Sequence, residues 1–217
     1  MRKLFAFAFL SILSAAAFGR AYYISSSGGD DSNDGSQAGP LKTIAAAPKE
    51  NSEIYLKRGD VFYGPITKFK NCKISAYGEG PMPVISGFKI VKNPDAWERQ
   101  PNDVWRIDLT KPENFDGYFA EGKANNIGAV YDMSSDKLYG HLVCRYNQLN
   151  SYGDFWVSGD VNRVNVQDKK ENFRYLYFRS KGNPSSGGAK IAFSTYGTGV
   201  TNLENCEVDS VAVTGFG

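Results

Sequence analysis

The sequence predicts an all-β protein in which coils of short, stacked strands flank an inserted antiparallel β-subdomain. Three observations predict it. Runs of a few β-branched, aromatic and aliphatic residues recur, each closed by Gly, Pro or Asp, as in Glu53-Ile54-Tyr55-Leu56, Val61-Phe62-Tyr63 and Val84-Ile85-Ser86-Gly87. Ile54 and Ile74 stand 20 residues apart, which matches one turn of a solenoid. Beyond residue 87 the pattern changes: Val104-Trp105-Arg106-Ile107-Asp108 alternates cleanly, and later apolar runs are irregularly spaced. With 23 Gly and 9 Pro among many aromatic residues, a helical bundle is disfavoured.

Residues 1–21 carry Arg2 and Lys3, an apolar run from Leu4 to Phe18, and small residues Gly19 and Ala21 placed for cleavage after Ala21. This is the pattern of a secretory signal peptide, and the run is too short to span a bilayer. The protein is therefore expected to be secreted, periplasmic or on the cell surface, free of the membrane after cleavage. Residues 22–87 follow as a cap and first coils. Tyr22-Tyr23-Ile24-Ser25 reads as a strand, a long polar turn comes next, and Thr43-Ile44-Ala45-Ala46-Ala47 reads as a helix of one or two turns ended by Pro48. Residues 88–199 read as the inserted module, with strands at Val104 to Asp108, Ile127 to Tyr131, His141 to Cys144, Asp154 to Val157, Tyr175 to Phe178 and Lys190 to Phe193. Residues 200–217 return to the coil pattern through Leu203, Cys206, Val208, Val211 and Val213, and Asn205 suits a tight, left-handed corner. That segment runs straight into Thr214-Gly215-Phe216-Gly217, so further coils beyond Gly217 are expected.

Composition removes some functions. Three of the 25 basic residues, Arg2, Lys3 and Arg20, lie in the leader, and the remaining ones are balanced by 23 acidic residues. A basic field for nucleic acid is excluded. Cys72, Cys144 and Cys206 form an odd set that cannot pair completely, and they read as buried apolar thiols rather than a disulfide framework. His141 is the only histidine, and on a strand with Cys144 facing away it reads as structural, without the spacing of a zinc site.

The strings YYISSSGGDDSNDGSQAGPLKTIAAA, IYLKRGDVFYGPI and ISAYGEGPMPVISG resemble the start of secreted bacterial proteins of the pectate-lyase-like right-handed parallel β-helix superfamily. The segments YGDFWVSGD and YLYFRSKGNPSSGG are similar to a β-rich insertion in some members, and NLENCEVDSVAVTGFG resembles another coil. The resemblance implies a right-handed parallel β-helix acting on extracellular polysaccharide, as a lyase or glycoside hydrolase, or else as a non-enzymatic adhesin-like or carbohydrate-binding surface protein.

Candidate site residues are few, and no catalytic set is identified. Asp30, Ser32 and Asp34 before Gly35 offer alternate oxygens like the first half of a calcium loop, but Leu41 stands where the closing Glu would fall, and a turn capped by its own side chains accounts for the same residues. Lys57, Arg58 and Asp60 are the residue types a uronate lyase uses, yet they read as a solvated turn beside the cap. Tyr152, Phe155 and Trp156, with Tyr175, Tyr177 and Phe178, read as core-filling aromatics, a saccharide platform being the alternative.

Overall fold

The computed structural model describes residues 19–118, 127–158, 174–195 and 197–217, so all but the last three residues of the leader expected at 1–21 lie outside the described residues. It is all-β, with parallel and antiparallel sheets. In the parallel part short strands dictate this, because each buries only one or two side chains and must stack on a neighbour to exclude water.

The parallel part begins with β1 (Ala21–Ile24), β2 (Glu53–Lys57), β3 (Val61–Tyr63), β4 (Ile66–Thr67), β5 (Lys73–Tyr77) and β6 (Val84–Ser86). Then come the antiparallel strands β7 (Phe88–Val91), β8 (Glu98–Gln100), β9 (Val104–Asp108), β10 (Phe115–Gly117), β11 (Ile127–Asp132), β12 (Lys137–Tyr139), β13 (Phe155–Val157), β14 (Tyr175–Arg179) and β15 (Ile191–Thr195). The chain ends in β16 (Val200–Thr201), β17 (Glu207–Val208) and β18 (Ala212–Thr214). Parallel ladders run β1-β2-β5-β17, β3-β6-β18 and β4-β16. Ile54, Ile74 and Val208 are direct neighbours in the first ladder, so the 20-residue spacing is a register and not a coincidence.

Ile24, Ile54, Leu56, Phe62, Ile66, Phe69, Ile74 and Ile85 fill the interior of these ladders. Burying each such side chain stabilises the fold by about 1.5–3 kcal/mol. The corner before β5 is sharp: Asn51, Asn71 and Asn205 have φ of 50°, 51° and 50°. Asparagine tolerates that left-handed geometry better than most residues. Their side chains form a ladder, with Asn71 Nδ2 donating to Asn51 Oδ1 at 3.1 Å and Asn205 Nδ2 to Asn71 Oδ1 at 3.3 Å. The corner assigned to Asn205 from its chemistry is thus one of a stacked series.

The antiparallel strands form two sheets, β10-β7-β15-β11-β12 and β13-β14-β9-β8. Trp97, Ile107, Leu109, Phe155, Phe178, Ile191 and Phe193 belong to a second core, separate from the first. The two parts are joined where β15 ends. Thr195 Oγ1 donates to the Gly87 carbonyl at 2.7 Å, and the Thr195 and Gly217 amides donate to the Gly215 and Thr195 carbonyls at 3.0 Å each. Gly87 must be glycine, because a Cβ there would lie 2.6 Å from the Phe216 ring.

Three expectations change. The helix at 43–47 is a single 3-10 turn, Ile44–Ala46, capped by Thr43. His141 to Cys144 is not a strand, since only Leu142 makes an isolated bridge, to Phe155, and Cys144 is exposed. Of the three cysteines only Cys72 is buried. Among the described residues no helix is long and apolar enough to cross a membrane.

The polar loop after β1 folds on its own side chains. Asp30 Oδ1 accepts from the Ser32 amide at 2.8 Å and the Ser32 hydroxyl at 2.6 Å, while Asp34 Oδ1 accepts from the Ser36 amide at 3.0 Å. Asp31 accepts from the Lys42 and Thr43 amides across the loop, at 2.9 and 2.8 Å. The Ser32 hydroxyl and amide bonds hold Asp30 below the usual carboxylate range, and the Ser36 amide does the same for Asp34. Among the described residues no His, Cys, Asp and Glu side chains converge as a metal cage.

Two predictions follow from this architecture. Thermal melts with and without calcium are expected to coincide, with Asp30→Ala lowering both equally; a calcium-induced rise lost in that variant would assign the loop to the ion. Lys89, fully buried on β7, donates to the Leu109 carbonyl at 3.0 Å, and burial pushes its pKa down to about 8. The unfolded chain holds this proton up to about 10.4, so between pH 8 and that value the unfolded state binds more protons and stability rises with pH. Urea unfolding at pH 7.5 and 9.5 should show that rise in the wild type, and a smaller one in Lys89→Met.

Candidate functional site

Strand alternation sorts the aromatics of β13 and β14 into two sets. Phe155 pairs with Phe178 and Val157 with Leu176, and all four are buried in the core between the sheets. Trp156 pairs with Tyr177 on the other face, where Tyr146 packs edge-on against both at 6.1 and 5.2 Å. The reading of these residues as core is therefore right for Phe155 and Phe178, and also for Tyr175 and Tyr177, which are buried with Val104 and Leu149 in a smaller cluster against which Trp156 packs. Tyr152 departs from it: it lies beyond the strand and is 52% exposed.

Tyr152 stands in a cleft of about 290 Å³ lined also by Lys137, Tyr139, Arg179 and Lys181. The Arg179 guanidinium and the Lys181 ammonium lie 5.5 and 5.4 Å from the Tyr152 ring centroid, and Lys137 Nζ lies 4.7 Å from that of Tyr139. The Tyr152 hydroxyl donates to Asp103 Oδ2 at 3.0 Å, and this bond raises the phenol's pKa. Tyr139 is braced from behind by Phe178, edge-on at 5.3 Å. The cleft narrows where residues 140 and 153 cross: a Cβ on Gly140 would lie 1.9 Å from the Gly153 carbonyl oxygen.

Arg179 also lines a second cleft of about 400 Å³, with Asn102, Tyr146, Asn147 and Asn150. Its Nη1 donates to the Leu149 carbonyl at 2.7 Å, and its buried Nε–H has no hydrogen-bond partner among the described residues. A rigidly held guanidinium between two clefts, stacked on an exposed tyrosine, suits the hydroxyls and acidic groups of a sugar chain, whose apolar ring faces would lie on Tyr152 and Tyr139.

His141 borders this cleft through its neighbour Gly140, and its Nδ1 is 3.6 Å from Asp154 Oδ1, a partner that sequence reasoning did not find. Asp154 is itself buried and accepts from the Asn150 and Ser151 amides at 3.0 and 2.7 Å. It holds the 150–154 turn that carries Tyr152.

The other predicted residues lie elsewhere. Asp30, Ser32 and Asp34 belong to the loop after β1. Lys57 ends β2, and the Arg58 amide donates to the Tyr77 carbonyl at 2.9 Å. Asp60 is not solvated: it is 7% exposed and accepts from the Ser25 and Ser27 hydroxyls at 2.8 and 2.7 Å. Burial pushes its pKa up, but the Ser27 and Ser25 bonds outweigh this and hold it below the usual carboxylate range. It ties the loop after β1 to the turn after β2. A further cleft of about 360 Å³ near Thr43 and Tyr63 has Lys42 as its one cationic lining residue.

Lys137, Tyr139, Arg179 and Lys181 escaped sequence reasoning. A signal was present in Tyr175, Tyr177 and Arg179, which alternate along β14 on the face away from Phe178, with Lys181 two residues past the strand's end, although the two tyrosines are buried there. Lys137 and Tyr139 join them only through folding.

No protein-family profile matches the chain, and no curated protein does. Among solved structures, XylC in complex with xylose is similar over 89% of this chain and 34% of its own, with a TM-score of 0.53 at 14% identity. A glycoside hydrolase is similar over 91% of this chain and 51% of its own, with a TM-score of 0.47 at 11% identity. A GH136 lacto-N-biosidase from Eubacterium ramulus is 31% identical over 33% of this chain and 14% of its own, with a TM-score of 0.29. The last two superpose too little to bear on the fold. The chain spans about a seventh of the lacto-N-biosidase and a third of XylC. What these comparisons establish is a fold shared with XylC.

Proposed function

We propose that this chain is part of an exported, carbohydrate-active protein built on a right-handed parallel β-helix, and that the cleft around Tyr152 binds an extracellular polysaccharide. Residues 22–87 and 200–217 would be coils of the helix, and residues 88–199 the module that carries the cleft. The observation that carries this reading is the exposed Tyr152 ring flanked by Arg179 and Lys181, opposite Tyr139 and Lys137. Ring stacking supplies affinity for sugars, and the cations select chains bearing carboxylates or sulfates. The likeness to XylC, solved with xylose, supports a saccharide ligand at the level of the fold.

The carboxylates beside this cleft favour binding over bond cleavage. Asp103 accepts from the Tyr152 hydroxyl, and Asp154 from two backbone amides, so both are committed to holding the cleft's shape. A binding role also agrees with the alternative of a non-enzymatic surface protein.

Affinity electrophoresis or calorimetry with a polyuronate and with xylan tests the reading. Tyr152→Ala is expected to weaken binding about tenfold, the effect of losing roughly 1.4 kcal/mol of stacking. Lys181→Ala should weaken polyuronate binding more than xylan binding and reduce its salt dependence. Binding that is unchanged in both variants would move the site elsewhere.

Export has its own test. Arg20 belongs to the fold: its carbonyl accepts from the Glu53 amide at 3.2 Å, and its Nη2 donates to the Asp34 carbonyl at 2.9 Å. Cleavage after Ala21 would remove these bonds and the pairing of Ala21 with Glu53. Sequencing the N-terminus of the exported form is expected to find Arg20 retained, with cleavage between Ala15 and Arg20. A first residue of Tyr22 would refute this.

A further inference from the structure

Two thiols meet across the first parallel ladder. Cys72 immediately precedes β5 and Cys206 immediately precedes β17. Lys73 pairs with Glu207, and Lys70 bridges to Glu204, so the same offset holds on both sides and Cys72 lies directly beside Cys206. The Glu207 amide donates to the Cys72 carbonyl at 3.0 Å, which fixes the two backbones at this point. Neighbouring parallel strands run about 4.8 Å apart, inside the roughly 4.4–6.8 Å between Cα atoms that a disulfide accepts.

The side chains agree with the backbone. Cys72 Sγ donates to the Lys70 carbonyl at 3.2 Å and Cys206 Sγ to the Glu204 carbonyl at 3.3 Å, so both thiols turn toward the carbonyl two residues back. Cys144, the third, is exposed in the loop between β12 and β13.

We propose that Cys72 and Cys206 are a disulfide site, closed when the chain meets a small-molecule disulfide or a disulfide-exchange protein, with Cys144 left as the single thiol. Cys206 is the more exposed of the pair and reacts first. Its thiolate attacks one sulfur of the oxidant's disulfide, forms a mixed disulfide and releases the oxidant's first thiol. Cys72 then loses its proton, attacks the Cys206 sulfur and displaces the oxidant's second thiol. Two electrons and two protons pass from the cysteines to the oxidant, which leaves as two thiols. The bond spans residues 72 to 206, so it closes a loop containing the whole antiparallel module and locks β17 in register. Loops of that length gain most from cross-linking.

Oxidised glutathione tests this on the full chain carrying Cys144→Ser. Native incubation should give a protein lighter by two hydrogens, without reactive thiols after denaturation, and with the Cys72 and Cys206 peptides joined. Its thermal midpoint should rise by roughly 5–10 °C and fall back with reductant. In the wild type, peptide mapping should give the same cross-link and one remaining thiol at Cys144, which serves if the variant folds poorly. Two free thiols after oxidation, or glutathione retained on Cys206 with Cys72 unreacted, would overturn the proposal.

Discussion

Everything in this structure depends on a register kept across a long excursion. The chain leaves the parallel ladders after β6, builds two antiparallel sheets, and returns so that β16, β17 and β18 lie beside β4, β5 and β6. A slip of one residue would turn Val208 away from Ile74 and place a polar neighbour inside. Several contacts enforce the return at once. The Asn71–Asn205 side-chain bond is followed by the Lys70–Glu204 pair at 2.8 Å and the Ser75–Asp209 bond on the next strand position. Each is exposed or half-exposed and individually worth little. Together they make a misregistered return cost several polar bonds and an apolar one.

The module has interiors of its own, one between its sheets and a smaller one around Val104, Leu149, Tyr175 and Tyr177, and these let it diverge from the ladders. Because the interior around Phe155 and Phe193 is independent of the interior around Ile54 and Ile74, a change in the cleft need not disturb the stack. What couples them includes Thr195 with Gly87, the seat of Phe216, and Tyr118 beside Gly64. The other face of β13-β14-β9-β8 carries aromatic and charged groups partly covered by Val143, Tyr146 and Leu149, and the row Trp156, Tyr177, Arg106, Glu98 crosses all four strands in register. Arg106 is held there by Glu98 through two bonds of 2.8 and 2.7 Å.

The sequence made the stacked strands legible because their signal is local: short apolar runs, turn residues and the Ile54 to Ile74 spacing all lie within a few residues of the structure they specify. The errors came from contacts made at long range. Asp60 reads as a surface turn until Ser25 and Ser27 arrive from β1's end to bury it. His141 reads as lacking a partner because Asp154 reaches it only when the 150–154 turn folds back. Alternation in β13 and β14 is visible in the sequence, but not that both faces are covered, one by the core around Phe193 and the other by Leu149 and Val143, which arrive from distant segments. The cleft was least legible, since Lys137 and Tyr139 precede Arg179 and Lys181 by some forty residues.

All three tryptophans, Trp97, Trp105 and Trp156, lie in the antiparallel part, while the ladders carry the stacked tyrosines Tyr23 and Tyr55 with Tyr77 edge-on against Tyr23. Their settings differ: Trp97 Nε1 donates to Ser185 within the core, Trp105 Nε1 to the Ser180 carbonyl, and Trp156 packs under Tyr146 on the outer face. Tyrosines occur in both parts, but indoles in one, so indole emission reports the module that carries the cleft, and its loosening can be followed spectroscopically without attaching a dye.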